Sequence, residues 1–281
     1  MAMPVYLDYN ATTPIAPEVA EAIRPCLGPL FGNPSSPHLY GIAARRAVDA
    51  AREQVAALLG CSPVEVVFTG GGTEANNMAL KGVVRAARGA GRHRIVTTAV
   101  EHPAILEPLE ALAEEGVEVV ILPVDAWGRV DPDVVRRAVR EPTLLVTVMH
   151  ANNEVGTIQP IAEIAAIAHE AGALMHTDAA QTPGKVAVDV AALGADLVSL
   201  AGHKLYAPKG VGALYVRAGV AMAKFMHGAT HEANRRAGTE NLIGIVGLGA
   251  AASLAARDLE AQAAHLRAMR DRLETGLLAI D

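Results

Sequence analysis

From residue 64 onward the chain alternates short, unbroken apolar runs with stretches of helical period, and that alternation leaves few folds open. The runs at 64–68, 94–100, 117–123, 143–149, 174–177, 196–200 and 212–216 read as strands. Helices are predicted between them at 73–87, 103–115, 131–139 and 161–171. The runs do not alternate polar with apolar, as expected of strands covered on both faces. The reading is an α/β fold: a mainly parallel, mixed seven-stranded sheet with right-handed crossovers and helices on both faces. Upstream, 17–27 reads as a helix with Pro17 near its first turn, and 42–59 as an amphipathic helix closed by Gly60. Residues 241–280 read as one long helix with a place for a break at Gly247 or Gly249. The predicted division is an N-terminal segment (1–15), a ligand-binding body (16–255), and the far part of the long helix (256–281).

Composition narrows the function more than the fold. At 281 residues, 51% hydrophobic and 3% aromatic, the chain suits many small-residue helices on a buried sheet. The net charge is −6 and no basic block stands out, which argues against nucleic acid as a partner. Cys26 and Cys61 lie far apart without zinc or disulfide spacing, as expected in a reducing cytoplasm. Residues 1–9 carry no secretory pattern, and no uninterrupted apolar run reaches the ~20 residues of a membrane helix.

In open α/β sheets, ligands sit outside the carboxyl ends of the strands. Gly70-Gly71-Gly72-Thr73 follows one strand and opens a helix. Its free N–H groups and helix dipole suit an anion such as phosphate, although a plain tight turn reads equally well. Glu101-His102 ends the next strand; His102 could move protons or lie flat on an aromatic ligand. Asn153 follows another strand, and Asp178 another, with Gln181 three residues on. Ser199-Leu200-Ala201-Gly202-His203-Lys204 ends the last of these. A lysine held partly dry beside another cation loses its proton more readily and can then condense with an aldehyde. An anion cradle, a carboxylate, a stacking imidazole and such a lysine together fit pyridoxal 5'-phosphate. The competing reading is a metal site built from His102, His150, His176, Asp178 and His203, which would leave the glycine turn unused.

At these residues the chain resembles the cysteine desulfurases, which are class V aminotransferase-type enzymes of pyridoxal phosphate fold type I. The resemblance runs almost end to end. It covers 7–14, 32–36, 69–77, Glu101-His102, 153–156, 176–181, Gly202-His203-Lys204 and 235–241. It implies that Lys204 carries the cofactor as a Schiff base and moves the substrate α-proton. It further implies that Asp178 pairs with the ring nitrogen, His102 stacks on the ring, and Gln181 bonds its phenolic oxygen. Thr73, Ser199 and His203 would hold the phosphate with Gly72, and Thr239 would reach the phosphate of the neighbouring subunit in a homodimer. Asn153 would orient the substrate amino acid. Arg235 and Arg236 are expected in solvent or at the dimer contact.

Relatives of this kind run on for roughly another hundred residues, a small domain's worth, which bear the nucleophilic cysteine and the arginine for the substrate carboxylate. Neither Cys26 nor Cys61 matches that cysteine, and both are expected to be buried small apolar residues. The expected parent activity converts L-cysteine to L-alanine and leaves a persulfide for iron–sulfur cluster or thio-cofactor assembly. The 281 residues would then be a fragment, one chain of a split enzyme, or a short homologue. A pyridoxal phosphate-binding scaffold and a selenocysteine lyase-like enzyme are the alternative functions.

Overall fold

The computed structural model describes residues 4–280; residues 1–3 of the expected N-terminal segment, and Asp281 at the end of the expected last helix, lie outside the described residues. The seven predicted strands form one sheet in the order β1-β7-β6-β5-β4-β2-β3. Their ranges are β1 Val66–Thr69, β2 Arg94–Thr98, β3 Glu118–Leu122, β4 Thr143–Thr147, β5 Leu174–Asp178, β6 Leu197–Ala201 and β7 Gly212–Val216. From β3 to β6 every pairing is parallel, whereas β7 runs antiparallel between β1 and β6. The five strands from β7 through β2 are buried along their whole length, apart from half-buried Leu174 at the start of β5. Edge strand β3 is not: Ile121 is exposed, so this one apolar run is open where the others are covered.

Helices cover both faces, and alternate residues of one strand enter different cores. On β7, Ala213 and Tyr215 pack with α1 (Pro17–Ile23), α2 (Leu39–Leu59) and α8 (Leu242–Leu278). Leu214 and Val216 turn the other way, toward α3 (Gly72–Ala86) and α4 (Pro103–Glu114). A third core joins α5 (Pro132–Ala138) and α6 (Ile161–Glu170) to β2, β4 and β5. Local sequence sets the helix ends. Pro103 and Pro132 sit at first-turn positions, Asp131 accepts from the Asp133 N–H, and Gly60 closes α2 in the left-handed region. A one-turn helix, α7 (Val190–Leu193), precedes β6.

The break expected at Gly247 or Gly249 does not occur; α8 is continuous. A Cβ on Gly249 would lie 2.6 Å from Ala51 Cα, and one on Gly247 would lie 2.5 Å from Pro208 Cδ. These glycines let α2 and the 208 loop approach the helix backbone, and that packing outweighs their poor helix propensity. By length and composition the first part of α8 could match a membrane span, contrary to the reading of the apolar runs, but 44% of that window is buried in the fold.

Candidate active site

The carboxyl ends of β1, β2, β4, β5 and β6 surround a cavity of about 300 Å³. Lys204, Asp178, Gln181 and Asn153 line it, as do His102, His203, Gly72 and Thr73. Gly72, Thr73 and His203 also wall an adjoining recess of about 760 Å³ that contains the rest of the glycine turn and Lys209. Gly71 has φ +152° and begins the 15-residue α3, whose first N–H groups have no partner within the helix. A Cβ on Gly72 would press on Ala201 Cβ at 3.1 Å, which explains the small residue where the turn meets β6.

Lys204 follows β6 in a single turn of tight helix, Gly202–Lys204, and is half-buried. Burial draws its pKa below the ordinary lysine value, against the opposing pull of Asp178, Asp8 and Glu154. Its Nζ donates to the Asn10 carbonyl, which also accepts from Gln181 Nε2 at 3.0 Å. Gln181 Oε1 in turn accepts from Lys185 Nζ at 3.0 Å. The N-terminal segment thus straps the mouth of the cavity. Asn10 Nδ2 donates to the Asn153 carbonyl at 3.0 Å, and both the N–H and the hydroxyl of Thr13 reach the His203 carbonyl at 2.9 Å.

Asp178 is buried at the end of β5, and desolvation raises its pKa. Each carboxylate oxygen has one donor: Ala180 N–H on Oδ1 at 2.9 Å, and Asn76 Nδ2 on Oδ2 at 2.7 Å. His102 and Lys204 add favourable charge. His102 caps α4 by accepting from the Ala104 N–H at 3.0 Å, and its ring is otherwise exposed to the cavity. Burial and the neighbouring Lys204 and Lys209 lower the pKa of His203, whose Nδ1 lies 3.1 Å from Thr12 Oγ1.

One expectation, Ser199 at the phosphate, needs correction. Ser199 is fully buried and lines neither recess; its Oγ pairs with His176 Nε2 at 2.9 Å. It shares a strand face with Ala201 but lies one pleat deeper, so Ala201, which has no hydroxyl, meets the cavity. Thr239 is exposed and does not line this chain's cavity. Arg236 is largely covered within the chain: its Nε pairs with Glu74 Oε1 at 2.8 Å, tying the 230–240 segment to the first turn of α3.

Two of the four histidines of the metal reading are engaged away from the cavity. His176 lies between Thr147 and Ser199 within the sheet, and His150 pairs with Thr182 at 3.0 Å. Among the described residues, no three His, Cys, Asp or Glu side chains gather at metal-binding spacing. Neither Cys26 nor Cys61 lines the cavity, and burial raises both thiols, Cys61 to about 12. A further hollow of about 530 Å³ lies away from Lys204, beside α2. Its Glu232 is spent on Arg52 and on the Phe68 N–H, which seals the edge of β1.

Sequence reasoning missed Asn76. The available signal was an amide on the buried face of α3, next to Ala75 and near Met78 and Ala79. The donor set matches a phosphorylated aromatic aldehyde with a ring proton: an amine of lowered pKa, a buried acceptor carboxylate and an open glycine-turn helix start. Those residues could hold pyridoxal phosphate.

The aminotransferase class-V family profile matches residues 5–281. Cysteine desulfurase IscS of Dictyoglomus turgidum (strain DSM 6724 / Z-1310) is 50% identical over 271 residues, 96% of this chain and 68% of that protein. Cysteine desulfurase IscS of Methanosarcina thermophila is 49% identical over 276 residues, covering 98% and 68%. Among solved structures, a NifS-like protein superposes with a TM-score of 0.95 at 40% identity, covering 98% of this chain and 76% of that one. A structure described as SspA in complex with cysteine gives 0.85 at 40% identity, covering 88% and 72%.

Proposed function

Because this chain belongs to the aminotransferase class-V family, within its cysteine desulfurase branch, we propose that its cavity holds pyridoxal 5'-phosphate and serves removal of sulfur from L-cysteine. The observation that carries this reading is the meeting of Lys204, Asp178 and the glycine-turn start of α3 around one cavity. Bound there, the cofactor supplies an aldehyde that condenses with amines and a ring that accepts negative charge.

The chain's own residues take the remaining roles. Lys204, whose Nζ now donates to the Asn10 carbonyl, would hold the cofactor through its amine and, as the free amine, would take the substrate α-proton. Its lowered pKa favours both tasks at neutral pH. Asp178, as a carboxylate, would accept the ring N–H. Gln181 would offer its amide to the ring oxygen, His102 would stack on the ring, and Asn153 would orient the amino acid. Thr73, His203 and the N–H groups at Gly72 hold the phosphate. Ser199 has no part in this, while Thr239 serves a partner subunit's site in a homodimer.

In this reading residues 16–255 are the cofactor-binding body, the described part of 1–15 straps its mouth, and the described part of 256–281 is the far part of the long helix. The setting is a reducing cytoplasm, where a sulfur-acceptor protein receives the product. Since both cysteines lie outside the cavity, the 281-residue chain makes no persulfide alone.

The test is direct. Mixed with pyridoxal phosphate, the chain gains a visible absorption band that Lys204→Ala lacks; an identical band in both proteins overturns the reading. Alanine released from cysteine by the 281 residues alone would overturn the claim about the cysteines. Turnover of selenocysteine in preference to cysteine would favour the lyase-like alternative.

A further inference from the structure

Asp178 sits where a carboxyl group ought to be neutral. It is buried, so desolvation works against its ionised form, and its charge in turn raises the cost of ionising nearby Glu101. Glu101, at the end of β2, accepts from Thr98 Oγ1 at 2.6 Å and from the Met149 N–H at 3.0 Å; its other oxygen has no partner among the described residues. What favours a charged Asp178 is its donors. Ala180 N–H comes from the loop after β5, and Asn76 Nδ2 from α3. His102 and Lys204 lie across the cavity.

Of these, only Asn76 is a neutral side chain that touches the carboxylate. It is almost wholly buried, walls the same cavity, and presents its NH2 edge to Asp178 Oδ2 at 2.7 Å. Its Oδ1 is buried without a partner, so the amide is oriented by Asp178 alone among the described residues. An NH2 group can only donate, and a protonated carboxyl needs an acceptor there. The contact therefore selects the charged acid, and a hydrogen bond to a charged group is among the stronger kinds.

We propose that Asn76 is a positioning residue that keeps Asp178 an acceptor-only carboxylate, so that the proton shared between Asp178 and a ring nitrogen rests on the ring. This rests on the reading of the cavity as a pyridoxal phosphate site. No bond to carbon changes; one proton is placed on nitrogen and kept off Oδ2.

The experiment compares pyridoxal phosphate with its carbocyclic analogue, in which the ring nitrogen is a C–H. Dissociation constants are measured by absorption titration on wild type, Asn76→Ala and Asn76→Leu, with thermal unfolding as the control for folding. Wild type should favour the nitrogen-containing ring, and each variant should lose on the order of tenfold of that preference. The pH midpoint of the bound band should fall with it, a change that loose packing alone would not make. The Ala variant keeps the test open if the Leu variant does not fold. Equal affinity of wild type for the two ligands, or an undiminished preference in a folded variant, overturns the proposal. If wild type shows no Lys204-dependent band at all, the cofactor reading fails instead, and the two failures are distinct.

Discussion

Three buried titratable side chains set how this protein responds to pH. Burial drives His176 down to about 3 and His150 to about 4, so both are neutral in the fold. In the unfolded chain each takes up a proton near pH 6.5. Their contribution is therefore present above about pH 6.5 and is lost as pH falls from there toward 4 and 3. Glu101 runs the other way: raised to about 8, it is protonated in the fold, and its contribution declines as pH climbs from about 4.5 to 8. Urea unfolding followed against pH should show Glu101→Gln removing the decline on that side. His176→Asn should reduce the acid-side slope by about one proton. The same residues show what a sequence can reveal about a site. Lys204, Asp178 and the glycine turn were legible because each ends a strand, and strand ends gather at one rim. Ser199 was misplaced because one-dimensional proximity to Lys204 does not report depth within a pleated strand. Asn76 was overlooked because its role needs a partner 102 residues away.

The helices carry a second lesson, on glycine. Gly249 and Gly276 share α8, but one faces Ala51 at contact distance and the other has open space around it. Gly249→Ala should destabilise by ~1–3 kcal/mol through overpacking against α2. Gly276→Ala should stabilise by up to ~1 kcal/mol through helix propensity. Denaturant midpoints of the two variants must shift in opposite directions. The helix itself was readable from its period, whereas its continuity was not. A glycine's effect depends on what lies opposite, and α2 is nearly two hundred residues upstream. Likewise β3 reads as apolar as its neighbours, yet only the strand order reveals that it is the edge.

At the scale of the molecule, the N-terminal strap and the cavity are one device. The Asn10 carbonyl holds both Lys204 and Gln181, the two donors the proposed ligand would claim. Binding of pyridoxal phosphate should therefore quicken amide exchange around 8–11 while Thr13, anchored on the His203 carbonyl, stays slow. Exchange mass spectrometry with and without the ligand checks this. Unchanged exchange across 8–13 would mean the strap is held by other contacts. The antiparallel β7 also governs how the molecule is made. Val66 pairs with Tyr215, and on the other side Val198 meets the same Tyr215. A ribosome must therefore release the polypeptide beyond residue 216 before β1 can join the rest of the sheet. Until then the first and sixth strands wait with bare hydrogen-bonding rims, and a nascent chain stalled short of that point is the species most open to sticking to its neighbours.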